Sequence, residues 1–120
     1  MMKAPSHIRW ASTLLIGLSS ISALAQAPTP EALQFFENNI RPILAENCYK
    51  CHGSEKQKSG LRLDSATAFA KGGESGPLIN ATNPNASLLI QVIEYKGKIK
   101  MPEDNKLADT EIETLRQWVT

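Results

Sequence analysis

Apolar positions along this chain fall into two unlike patterns. Residues 11–23 (A-S-T-L-L-I-G-L-S-S-I-S-A) form a nearly unbroken apolar and small run, whereas Leu33, Phe36, Ile40 and Leu44 recur at the spacing of one helix face. Ahead of that face, Thr29 can cap and Pro30 can take the first helical position, with Glu31 well placed in the first turn. Pro42 lacks the N–H that an uninterrupted helix needs, which predicts a kink or restart near Arg41. Residues 53–83 keep no sustained period and are punctuated by Gly72-Gly73 and Gly76-Pro77, so they are expected to be loop with one short helix. Asn83 and Pro84 then signal a helix whose face holds Leu88, Leu89, Val92 and Ile93, with Gly97 as its stop. A last helix is expected from about Asp109 or Thr110, where Thr110 and Glu113 have the spacing of a capping box. Ile112, Leu115 and Trp118 or Val119 give it an apolar stripe. Strand-type alternation is absent, and the fold class expected is all-α.

The early apolar run belongs to a different kind of segment. Lys3 and Arg9 precede it, no acidic residue occurs before Glu31, and Ala23-Leu24-Ala25 supplies a small-x-small cleavage pattern. The run is also shorter than the roughly 20 apolar residues that span a bilayer. Residues 1–25 are therefore expected to be a signal peptide, cleaved on export to the periplasm or beyond, with no stable membrane insertion afterwards. Residues 26–120 remain as one small domain.

A domain of this size buries only a little over ~60% of its unfolded surface, so its core is often completed by a disulfide, a metal or a cofactor. Charge adds little. The 13 basic and 12 acidic residues become 11 and 12 once Lys3 and Arg9 leave, and a net charge of −1 does not point to nucleic acid. Asn80-Ala81-Thr82 and Asn85-Ala86-Ser87 match the glycosylation sequon, but helix capping accounts for these residues more simply.

Candidate chemistry concentrates in C-Y-K-C-H-G, residues 48–53, which holds both of the chain's cysteines. A thioredoxin-like redox pair calls for a βαβ setting that the pattern lacks, and a disulfide here would close a loop too short to gain much entropy. Zinc needs four ligands, while outside the signal segment only Cys48, Cys51 and His52 are of the right type. Covalent haem attachment uses all three, because two thiols about one turn apart can reach the two vinyl groups as thioethers while the next residue places an imidazole under the iron. A haem c group would also supply the apolar bulk that the core lacks.

The other face of the iron can be assigned by elimination. The remaining histidine, His7, and two of the three methionines lie in the signal segment, which leaves Met101. A methionine and histidine pair raises the potential of haem iron and suits electron transfer. Lys98, Lys100 or an open sixth position are the alternatives.

The pieces F-F-E-N-N-I-R-P-I-L-A-E-N-C-Y-K-C-H-G, S-G-L-R-L-D-S, G-G-E-S-G-P, S-L-L-I, K-M-P and E-I-E-T-L-R-Q-W-V together resemble the planctomycete-type cytochrome c domain. The resemblance implies a small class I cytochrome c-like fold, with terminal helices crossing near Phe36 and Trp118 around one covalent haem. Cys48 and Cys51 would carry it, His52 and Met101 would ligate its iron, and the Pro77 carbonyl would accept the proximal imidazole N–H. Where the family has Met-Pro-Pro this chain has Met101-Pro102-Glu103, and where it has a Pro-Gly turn this chain has residues 80–83 (N-A-T-N), which implies a less rigid loop.

The function expected is a mono-haem, one-electron carrier and not an enzyme, a monomer whose redox protein partners are met through Lys50, Lys56, Lys58, Lys96, Lys98 and Lys100 if their surfaces are acidic. Two alternatives stay open. One is a haem-bearing module, cut from a larger protein, that serves a neighbouring enzyme. The other is a peroxidase-like haem enzyme with an open sixth position, for which no distal acid/base pair is evident.

Overall fold

Thr29 starts the first helix as its residue type dictates. Its side chain accepts a hydrogen bond from Ala32 N–H at 3.2 Å, and Pro30 opens α1 (Pro30–Phe35) in the computed structural model, which describes residues 26–120. The signal peptide expected over residues 1–25 lies outside the described residues.

The chain restarts at Arg41, as expected, without leaving helical conformation. It passes through a π-helical turn (Phe36–Ile40), in which Arg41 N–H reaches back to the Phe36 carbonyl, and continues as α2 (Arg41–Asn47) with the proline in its first turn. The wider turn absorbs the hydrogen bond that proline cannot make. It also rotates the residues on its two sides out of phase. Ile40 and Leu44 are fully buried as the spacing predicts, while Leu33 on the same nominal face is 50% exposed.

After α2 come a 3-10 turn (Lys58–Gly60), the single short helix expected in this region, α3 (Ala66–Lys71), and a second 3-10 turn (Pro84–Ala86). α4 (Leu88–Ile93) then buries Leu89, Ile90, Val92 and Ile93, and α5 (Asp109–Val119) buries Ile112 and Leu115. No strand occurs among the described residues, only isolated bridges between His52 and Gln57 and between Gly73 and Gly76. The architecture is all-α.

α5 packs against both the π turn and α4. Trp118 stacks obliquely on Phe36 with ring centroids 5.5 Å apart, so the terminal helices meet at the pair expected, and Phe69 of α3 adds an edge-on contact to Trp118 at 5.3 Å. Arg116 pairs with Glu94 just beyond α4. The start of α5 differs from the expected capping box. Ala108 is the N-cap, and the Glu111 carboxylate accepts from its N–H at 3.0 Å.

α4 also ends earlier than Gly97, at Ile93, and its entry is fixed by neither Asn83 nor a capping side chain. Instead Asn80 Oδ1 accepts from Thr82 N–H, Asn83 N–H and the Thr82 hydroxyl, while the fully buried Ser87 hydroxyl accepts from Asn80 N–H at 2.9 Å. Ser87→Ala deletes the partner of Asn80 N–H. A loss of about 1–2 kcal/mol is expected, read as a lower denaturation midpoint at unchanged m-value, and a cost under ~0.5 kcal/mol would show that the turn closes without it.

Candidate functional site

The C-Y-K-C-H-G stretch forms the turn that ends α2. Cys48 caps the helix through its N–H to Leu44 O at 2.8 Å, and both Cys51 N–H and His52 N–H return to Cys48 O, at 3.1 and 2.9 Å. Gly53 follows because a Cβ there would strike the Tyr49 carbonyl oxygen. Side chains from this tight turn part in two directions. Tyr49 joins Phe36, Phe69 and Trp118 around an open groove of about 950 Å³ that includes neither cysteine, nor His52, nor Met101. His52, only 8% exposed, instead lines a cavity of about 100 Å³.

Met101 lines that same cavity, 49 positions along the chain from His52, together with Leu61, Leu78, Leu88, Val92 and Ile99. Its backbone N–H donates to Val92 O of α4 at 2.9 Å. The cavity adjoins an open concavity of about 530 Å³ that shares Ser59, Ile99 and Met101 with it and is edged by Lys58, Lys98, Lys100 and Glu103. All six lysines singled out in the sequence are exposed, and three of them stand at this edge.

The imidazole is oriented by the main chain. Its Nδ1 lies 3.2 Å from the Leu61 carbonyl oxygen. A carbonyl can only accept, so Nδ1 carries a proton, which leaves Nε2 as the ring nitrogen through which a metal could be bound. The acceptor implied by the family resemblance was Pro77. Leu61 takes its place because the chain after His52 doubles back, with Lys58 N–H bonded to Cys51 O at 2.9 Å and Leu63 N–H to His52 O at 2.8 Å.

Three features carried no usable signal in the sequence. The Leu61 carbonyl is one. The second is a long-range ion pair, in which the Lys58 ammonium donates to both carboxylate oxygens of Glu103 at 2.9 and 2.7 Å, joining the segment after His52 to the segment after Met101. Glu103 stands where the family has its second proline, so this loop gains a tie where it lacks the rigid ring. The Lys58 hydrogen bond holds the Glu103 carboxyl below its usual pKa. The tie is therefore in place above the ordinary carboxylate range and is lost as pH falls through the depressed value. The third is Tyr95, whose hydroxyl donates to the Pro102 carbonyl.

Both cysteines are free and half-buried. Burial pushes the Cys48 thiol up to about 11, so at neutral pH it is the protonated thiol and not the thiolate that redox exchange would require. No group of three or more metal-ligating side chains of the cysteine, histidine or carboxylate type occurs among the described residues. Two free thiols, an imidazole, and a thioether that lines the same cavity as the imidazole are the donor types that haem c takes, although neither cysteine lines that cavity.

No curated protein and no solved structure gives a significant match to the chain. Residues 48–105, from the first cysteine of the motif to just past the methionine loop, match the family model described as Planctomycete cytochrome C, and a cytochrome c domain of this kind implies covalently bound haem c.

Proposed function

We propose that the protein is an exported one-electron carrier in which Cys48 and Cys51 tether the haem while His52 and Met101 hold its iron. The observation that carries this reading is the shared cavity. His52 and Met101 come from distant segments yet line one apolar space, the first with its Nδ1 held by Leu61 O and the second anchored by its own backbone to Val92. Bound haem supplies the one-electron chemistry of its iron. The chain's own residues supply the rest: Leu61 orients the imidazole, Val92 and the Lys58–Glu103 pair fix the methionine segment, and Leu78, Leu88 and Val92 keep water from the ligand side.

Export accords with covalent haem attachment outside the cytoplasm, and no helix among the described residues is long and apolar enough to cross a membrane. For partners, the edge around Ile99, which is 43% exposed between Lys98 and Lys100, suits a redox protein with an acidic rim.

The test is the visible spectrum of holoprotein made with cytochrome c maturation machinery. The unmodified protein is expected to be low-spin with a sulfur-to-iron charge-transfer band, and Met101→Ala to lose that band completely. A high-spin ferric spectrum in the unmodified protein would overturn six-coordination and move the assignment to a haem enzyme with an open sixth position.

A further inference from the structure

Tyr95 sits where a bulky side chain is out of place. Its φ is 62°, in the left-handed region that favours glycine, and Ser59 is the only other non-glycine residue with positive φ among those described. Backbone strain of this kind persists where the surroundings hold it in place. What the side chain does in return is specific. Its hydroxyl donates to the carbonyl of Pro102, and its ring face lies 5.9 Å from the Lys100 ammonium. Those are the two residues on either side of Met101. The backbones converge as well, because Val92 O accepts both Tyr95 N–H at 3.3 Å and Met101 N–H at 2.9 Å.

We propose that Tyr95 is a positioning residue that grips Met101 by both of its chain neighbours and so keeps the thioether delivered to the cavity. The proposal rests on the assignment of Met101 as an iron ligand. The segment it acts on has little else to hold it. Residues 96–100 are all exposed, including Ile99, and Gly97 stands at φ 103° with open space around it. The Lys58–Glu103 pair ties the loop only on the far side of Met101, and both partners face water. Tyr95 is half-buried, and the loop is therefore held mainly from the α4 side.

Two readouts on the holoprotein test this: hydrogen exchange of the Met101 amide, and displacement of the methionine by added imidazole, followed through loss of the sulfur-to-iron band. Tyr95→Phe keeps the ring over Lys100 but removes the hydroxyl. It is expected to raise the imidazole affinity roughly 5-fold and to speed exchange at Met101 by a similar factor. Lys100→Ala removes the ring contact alone and is expected to raise imidazole affinity roughly 2-fold. Faster exchange confined to residues 96–104 supports positioning. Equal acceleration across α2 and α5 would show a merely structural role and overturn it. A normal band in the unmodified protein with unchanged imidazole affinity in Tyr95→Phe overturns this proposal alone. An unmodified holoprotein without the band overturns the ligand assignment, and the proposal with it.

Discussion

Serine at both Cys48 and Cys51 is expected to yield a protein that surrenders all of its haem to acid and organic solvent, while the unmodified protein retains the full complement through the same extraction. Axial ligation and apolar burial are reversible, and acid removes both by protonating His52 and unfolding the chain. Thioethers survive that treatment. Both cysteines belong to the one turn that ends α2, with Cys51 N–H and His52 N–H bonded to Cys48 O, and either thioether alone would still tether the group. Cys48→Ser and Cys51→Ser taken singly are thus expected to keep haem covalently, and only the double variant to lose it all. Thiol labelling separates this from a disulfide. After denaturation the unmodified holoprotein is expected to show no alkylatable cysteine either before or after reduction, whereas a disulfide would expose two on reduction. Covalent haem retained by the double variant would sink the assignment.

What the sequence reveals of this site depends on whether the signal is carried by residue type. Cys48, Cys51 and His52 are adjacent and chemically distinctive, so their grouping needs no fold to be seen. Met101 needs only a count of the alternatives, and the structure places it on the same cavity as His52. The Leu61 carbonyl is a main-chain group that every residue possesses, so nothing in the letter at position 61 announces it; the analogy to Pro77 failed because it copied a position in sequence and not the return of the chain beside His52. The Lys58–Glu103 pair spans 45 positions and exists only once both loops are folded.

The same division holds for the helices. Thr29 and Pro30 mark the start of α1 by local chemistry that nothing overrides. At α5 the start expected at Asp109 or Thr110 is met at Asp109, but the cap is made by Glu111 on Ala108 N–H, next to the buried Leu107, and not by Thr110 and Glu113. Leu33 fell on the expected apolar face and is nonetheless exposed, because periodicity assumes a constant turn and the π segment ahead of Pro42 breaks the phase. Patterns that depend on nearest neighbours were legible; those that depend on what packs from elsewhere were not.

Leu115→Ala is expected to cost about 2–5 kcal/mol, a large share of the roughly 5–14 kcal/mol that a domain of this size possesses. Leu115 is 1% exposed at the middle of α5 and belongs to the same buried cluster as Ile40, Leu44 and Ile90. Truncation there leaves a cavity between three elements that cannot all close on it at once. The consequence reaches the site although α5 lies beyond the residues that match the family. α5 packs against the π turn, which runs through α2 into Cys48, and against α4, whose Val92 holds Met101. It thus touches both of the elements that lead to His52 and Met101. Denaturant unfolding of the holoprotein is expected to show a much lower midpoint at unchanged m-value, with Met101 released from the iron at lower denaturant than in the unmodified protein. Gln117→Ala on the exposed side of the same helix is expected to stay within ~0.5 kcal/mol. A Leu115→Ala cost below ~1 kcal/mol would mean that the terminal helix only rests on the domain, and that the spacing between His52 and Met101 is set by the matched residues 48–105 alone.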